Sequence, residues 1–386
     1  MTSAAQPAQG DRPAAVVFRK RLLPWSETFI AAQIGAMSRY HPVLVGYSRD
    51  PQGGKYLDGR DQLLLDDYGV IPGLSRLLLK ATGHMPQRWL DAIAERRPTV
   101  VHAHFGTNAP PAIAIAHAMG LPLIVTYHGV DITAAPRNER QRKQRSAVLA
   151  AADRVIAVSR FIADSLRAAG SAPQKTILHY IGVDTDFFSP GSIPRPASRI
   201  LFVGRLVTKK GLIHLIRAME RVQQAVPEAE VVVAGDGPLR QAMEREVAER
   251  RVRVTFLGVQ TPAQVRDLMR GASVLCGPGI VAASGNTEGL PISFLEAQAT
   301  GLPVVVSTSG GSDEGVVPEE TGFLHRPGDE AAIAEHLLAL LTDPQRREAF
   351  GAAGRAHMLA HFDLRRQTAA LENIYDSVRR GSGGSS

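Results

Sequence analysis

A chain of 386 residues, 44% hydrophobic and 21% charged, has ordinary globular composition and is too long for one core, so two domains of about 150 to 200 residues each are expected. A single cysteine, Cys276, excludes an internal disulfide and a thiolate metal cluster. The net charge of +7 favours anionic partners, but no finger, basic zipper or aromatic RNA platform accompanies it, so specific nucleic-acid binding is not expected.

Short β-branched runs alternate with amphipathic helical stretches along the chain. The first set is AAVVF (14–18), HPVLVGY (41–47), PTVVHAHF (98–105), LPLIVTYHG (121–129), DRVIAVS (153–159) and KTILHYIGV (175–183). A polar segment with three prolines, SPGSIPRPAS (189–198), reads as a linker. The alternation then restarts with RILFVGR (199–205), AEVVVAG (229–235), VRVTFLG (252–258), ASVLCGP (272–278) and LPVVVS (302–307). This is the pattern of parallel sheets covered by helices. The fold class expected is α/β, with two Rossmann-like doubly wound domains, residues 1–193 and 194–362, facing across a cleft. Ligands in such folds sit beyond the carboxyl ends of the strands. From DEAAIAEHLLALLTD (329–343) onward the pattern is helical only, and a helix over 363–380 is expected to cross back onto the first domain. GSGGSS (381–386) reads as a flexible tail.

No stretch approaches the ~20 uninterrupted apolar residues of a bilayer crossing. The N-terminal residues show no apolar block followed by a small-residue cleavage site. A cytoplasmic protein is the expectation.

Two constellations carry chemistry. In VGRLVTKKGL (203–212), Arg205 and Lys210 lie on the loop leaving a strand, ahead of a helix expected over Leu212–Ala225, where two cations suit a diphosphate. The spacing is not that of a Walker loop. In EGLPISFLE (288–296), Pro291 suits the first turn of a helix. Glu288 then precedes the helix and Glu296 lies one to two turns inside it. The free amides near 290–292 form an anion site. Carboxylates on either side of a phosphate site accept hydrogen bonds from hydroxylated groups, which is the shape of a nucleotide sugar.

GRLVTKKG and E-x7-E, joined in order by VVAGDGPLR (232–240), TGLPVVVSTSGG (300–311) and TGFLHRPGD (321–329), resemble glycosyltransferase family 4, retaining enzymes of the GT-B fold. SETFI (26–30), HAHFG (102–106), TYHGVD (126–131) and IGVDTDFF (181–188) are similar to members that build bacterial exopolysaccharides. The resemblance implies that Arg205 and Lys210 bind the donor diphosphate, Glu288 the transferred sugar and Glu296 the ribose hydroxyls. His128 would contact the donor sugar from the opposite domain. Gly204, Gly235, Gly289, Leu290, Pro291 and Ile292 would complete the donor site, with Ser26, Glu27, Thr28 and His104 on the acceptor side. It further implies front-face displacement with no covalent nucleophile, no metal and no cofactor, with UDP sugars as the default donor and GDP-mannose the alternative.

One departure stands out. Many members carry a glycine pair after the first strand, where this chain has FRKRLLPWSETFI (18–30). A helix opened by Ser26, Glu27 and Thr28, with a serine cap, is expected to serve acceptor or phosphate instead. The missing G-x-G-x-x-G also weakens a nicotinamide or flavin reading. Acceptors in similar enzymes are often polyprenyl-linked sugars. Two segments, 71–93 with Arg76, Lys80 and Arg88, and the basic 137–145, suit an anionic membrane surface. Rival readings are an epimerase or phosphorylase on the same scaffold, or a non-catalytic nucleotide-sugar binder in a polysaccharide assembly complex.

Overall fold

Runs of Val, Ile and Leu without polar alternation suit strands buried on both faces, and these are the strands of parallel sheets. The computed structural model describes residues 12–22, 27–51, 59–69, 77, 79, 85–192 and 198–382. The first set comprises β1 (Ala14–Phe18), β2 (Arg21–Leu22), β3 (His41–Gly46), β4 (Ser48–Arg49), β5 (Gln62–Leu64), β6 (Pro98–His104), β7 (Leu123–Tyr127), β8 (Arg154–Ala157) and β9 (Thr176–Leu178). Seven of these form a sheet in the order β5-β3-β1-β6-β7-β8-β9, and β2 pairs separately with β4. The second set is β10 (Arg199–Val203), β11 (Glu230–Ala234), β12 (Val254–Gly258), β13 (Val274–Gly277), β14 (Val304–Ser307) and β15 (Gly322–His325). Its order is β12-β11-β10-β13-β14-β15.

Both sheets are doubly wound. The order reverses between β1 and β6 in one and between β10 and β13 in the other, and each reversal opens a crevice at the carboxyl ends of its strands. The sequence pattern leaves four of the described strands unmarked: β2 and β4 have two residues each, β5 has only three, and β15 opens on a glycine inside what reads as a turn. The helix Leu212–Ala225 forms as expected, with Leu212, Leu215, Ile216, Met219 and Val222 buried on one face.

The junction placed near residue 194 lies outside the described residues. A second crossing, at 362–364, runs beside the segment that leaves the first sheet. There Val183 N donates to Phe362 O (2.8 Å), Leu364 N donates to Val183 O (2.9 Å), and Thr185 Oγ1 donates to Asp363 Oδ2 (2.8 Å). The Arg355 guanidinium ties the two together by donating to the carbonyls of Thr185, Phe188 and Ala299.

The helix Leu364–Ser382 then lies against the first sheet, burying Leu371, Tyr375 and Val378 at helical spacing. It extends through Gly381 and Ser382, two residues into the stretch read as flexible tail. Its anchor is Glu372, a fully buried carboxylate that accepts from the amides of Ser38 (3.0 Å), Arg39 (2.7 Å) and Tyr40 (3.1 Å). Stripping the acceptor from three such amides leaves unsatisfied donors, each expensive when buried. Glu372→Ala is expected to lower the unfolding free energy by roughly 3 kcal/mol, read from urea denaturation, and to expose the last helix to protease before the sheets unfold.

Candidate active site

Gly204 and Gly235 directly follow β10 and β11 on the crevice side, and Arg205 extends from the first of these loops with its guanidinium exposed. Thr208, Lys209 and Lys210 make a single 3₁₀ turn, closed by Gly211 at φ 65°. Only glycine fits there: the backbone is left-handed and a Cβ would overlap the Pro278 carbonyl. That contact sets the lysine turn against the end of β13. Glu288 is 8% exposed and stands between the ammoniums, with Lys209 Nζ 3.1 Å from Oε1 and Lys210 Nζ 3.3 Å from Oε2. Burial pushes its carboxyl up, but attraction to Lys210 and Lys209 outweighs this and holds it below the ordinary carboxylate range.

Pro291 is the N-cap of the helix Ile292–Ala299, one position ahead of the first turn where the sequence reading put it. Its φ of −71° fits either place. Leu290 and Ile292 flank it, and the first amides of the helix have no intrahelical acceptor. Glu296, on the same helix, opens into an interdomain cavity of about 520 Å³ whose walls include Thr28, Phe29, Phe187, Pro262 and Ile292. Burial raises its carboxyl to about 7, and it makes no ion pair among the described residues.

From the first domain, His128 follows β7. Its Nε2 lies 3.1 Å from His104 Nδ1, its ring packs 4.4 Å from Phe105 and 5.2 Å from Phe29, and its Nδ1 is buried without a hydrogen-bond partner among the described residues. Desolvation lowers His128 to about 3, so the ring is neutral, and burial takes His104 well below the ordinary imidazole range too. Asp131 fixes the loop by accepting from the amides of Gly106 (2.9 Å), His128 (3.1 Å) and Gly129 (2.9 Å).

The acceptor-side residues fare differently. His104 is 2% exposed and bonded to His128, so the ring supports that histidine instead of facing an acceptor. Glu27 is the N-cap of the helix Thr28–Ala36 but makes no side-chain cap, and Ser26 lies outside the described residues. The Glu27 carboxylate is taken by Arg19, whose Nε donates to Oε2 at 2.8 Å and whose guanidinium covers the Phe105 ring. Arg19 and Lys20 occupy the place of the missing glycines, with Lys20 Nζ bonded to Thr107 O (2.8 Å) across the first switch point. Thr28 lines the cavity beside Glu296. Sequence reasoning missed Arg19, Asp131 and Lys209. Asp131 lay within TYHGVD and Lys209 beside Lys210, so the motifs held them without assigning them work.

The domains meet backbone to backbone. A Cβ at Gly289 would overlap the His128 carbonyl oxygen, and one at Gly311 would come 2.7 Å from Ser159 Oγ. Glu314 of the second domain accepts from the amides of Arg160 (2.7 Å) and Phe161 (2.9 Å), at the start of the first-domain helix Arg160–Ala168, and from the Tyr180 hydroxyl (3.1 Å).

Two predictions follow from this geometry. Gly289→Ala is expected to fold but to hold the crevice open, seen as a larger radius of gyration in small-angle scattering. For Glu296, a folded-state value near 7 against an ordinary 4.5 means the folded protein holds the proton more tightly than the unfolded chain. Its contribution is full below the ordinary value and lost as pH rises through 7. Glu296→Gln is therefore expected to raise Tm at pH 8, with the gain shrinking toward pH 5.

The profile described as Glycosyltransferase Family 4 matches residues 34–187, and that described as Glycosyl transferases group 1 matches residues 184–357. A GDP-mannose-dependent monoacylated alpha-(1-6)-phosphatidylinositol monomannoside mannosyltransferase of Corynebacterium glutamicum is 31% identical over 326 residues, covering 76% of this chain and 84% of that protein. The amylovoran biosynthesis glycosyltransferase AmsK of Erwinia amylovora is 29% identical over 222 residues, 56% of this chain and 54% of that one. Among solved structures, HepE of Anabaena in complex with UDP-glucose superposes with a TM-score of 0.76 at 17% identity, over 94% of this chain and 99% of that one. With two doubly wound sheets facing across one crevice, and with relatives over most of its length, the chain belongs to glycosyltransferase family 4 and has the GT-B fold.

Proposed function

We propose that this glycosyltransferase moves a hexose, with retained anomeric configuration and without a metal, from a nucleoside diphosphate sugar to a saccharide or polyprenyl-linked saccharide. The observation that carries the reading is the ionised Glu288 held between Lys209 and Lys210 at one switch point, facing a domain that supplies the unpartnered Nδ1 of His128.

Cleavage of the anomeric bond puts negative charge on the departing diphosphate and positive charge on the sugar ring. Arg205, Lys210 and the amides opening the helix Ile292–Ala299 meet the first charge, and each preorganised donor of this kind is worth about 3 to 4 kcal/mol when removed singly. Glu288 accepts from sugar hydroxyls and acts as no nucleophile; the acceptor hydroxyl attacks beside the leaving group. His128, neutral, exchanges one hydrogen bond with the donor sugar through Nδ1. Glu296 takes the ribose hydroxyls at the cavity. UDP sugars are the family default, while the Corynebacterium relative takes GDP-mannose, so both belong in the test.

The acceptor reading brings in a membrane surface. Among the described residues no helix is long and apolar enough to cross a bilayer. Of the first segment proposed for the membrane, 71–93, the part before residue 85 lies outside the described residues apart from 77 and 79. The basic segment lies around and within the helix Glu139–Ala151, with Arg140 and Lys143 exposed. Peripheral binding at the inner face of an anionic membrane fits this surface, and flotation with anionic liposomes at low salt tests it.

A thermal-shift panel of UDP-glucose, UDP-galactose and GDP-mannose is expected to give one clear stabiliser. With that donor, Lys210→Met should lower kcat/KM by about 100- to 1,000-fold. Unchanged turnover in the variant removes Lys210 from the mechanism, and a flat panel removes the donor class.

A further inference from the structure

Two lysines hold Glu288, but they are not equivalent. Lys210 Nζ has Glu288 as its partner (3.3 Å), and its side chain lies against Gly204 at the end of β10, next to Arg205. It is placed to swing onto a diphosphate. Lys209 is tied at both ends: its Nζ also donates to Thr287 O (3.3 Å), and its carbonyl accepts from Ile280 N (2.9 Å). It therefore grips both ends of the segment 280–287 that delivers Glu288, and moving its ammonium to a phosphate would give up the bond to Thr287 O as well as the Glu288 ion pair.

We propose that Lys209 is a positioning residue that holds the Glu288 carboxylate on the donor sugar once Lys210 has turned to the diphosphate. This rests on the donor reading above. A carboxylate this buried needs a cation to stay charged, and among the described residues the cations acting on it are Lys210 and Lys209. From the first domain the packed titratable group is His128, which is neutral. The segment Ser309–Gly311, packed on Glu288 from the other side, carries only a hydroxyl and glycines.

The test uses the full chain with Lys209→Met, Lys209→Arg and Lys210→Met. Binding of UDP and GDP, and of UDP-glucose and GDP-mannose, is measured by calorimetry from pH 5 to 9. Lys210→Met should weaken the nucleoside diphosphate about tenfold or more, while Lys209→Met leaves it within about twofold. Lys209→Met should instead lose about tenfold of the extra affinity conferred by the sugar at pH 6. That loss should recover toward pH 9, because Glu288 with one cation fewer ionises at higher pH; Lys209→Arg should keep the sugar's share throughout. The proposal is overturned if Lys209→Met weakens UDP or GDP as much as Lys210→Met does, since Lys209 is then a phosphate cation. It is equally overturned by a loss that is independent of pH and not rescued by arginine, the mark of a loop staple, or by no loss at all. If Lys210→Met leaves UDP and GDP binding untouched, the donor reading itself falls, and the proposal with it.

Discussion

The carbonyl oxygen of His128 occupies the space that a side chain at Gly289 would need. Each sheet ends in its own switch point, and two such points make one site only if their loops come into backbone contact. Glycines at 129, 289 and 311 permit that approach, and Glu314 secures it by placing a carboxylate at the positive end of a first-domain helix. At the far side, Arg355 and the bridge between Val183 and Asp363 join the two crossings. The lobes are thus held near the chemistry by backbone packing and at the hinge by hydrogen bonds. Only with both in place does a histidine at 128 share a site with a carboxylate at 288.

Within that crevice, charge is distributed so that an incoming dianion finds cations without finding an uncompensated carboxylate. Glu288 is already neutralised by its lysines, so its burial is tolerable. Arg205 is exposed and committed to no ion pair among the described residues. Glu296 carries no counter-charge, and burial answers by raising its affinity for a proton. A hydroxylated ligand in the cavity would supply donors to this carboxyl that the protein does not. The site is therefore least stable where it is most open to a ligand, a local cost offset by the apolar strands beneath it.

What could be read from the sequence was what local pattern encodes. Runs rich in Val and Ile announce eleven of the described strands, most of them buried, because a strand covered on both faces has no polar alternation to hide it. β2, β4, β5 and β15 escape because two or three residues, or a run opening on glycine, carry too little pattern. Pro291 places Glu288 before a helix and Glu296 within it, because proline suits a helix start and the apolar spacing continues after it. Nothing local distinguished Lys209 from Lys210, because the difference lies in which carbonyl each reaches. The resemblance puts His104 on the acceptor side, but the neighbouring strand brings His128 over it. Glu372 was illegible for the same reason: its partners at 38 to 40 lie in another part of the chain, and pairing over that distance leaves no periodicity.

That long-range pairing reaches the chemistry. The last helix buries Tyr375, whose hydroxyl meets His102 Nδ1 at 2.7 Å, while His102 Nε2 meets Thr126 Oγ1 at 2.7 Å. The His102 ring lies 4.4 Å from His104, which in turn bonds and stacks on His128. Three imidazoles in a row share a dry interior with none protonated, because burial strips a charged ring of its hydration, each added charge would repel the next, and at His104 and His128 it would also face Arg19. Neutrality is what the site requires of His128. An imidazolium would add repulsion to a crevice that already holds Lys209, Lys210 and Arg205, whereas a neutral ring offers a sugar hydroxyl one directed hydrogen bond. The helix that returns to the first domain therefore does more than close the fold: by packing Tyr375 behind His102 it keeps dry the row of rings from which His128 takes both its orientation and its charge state.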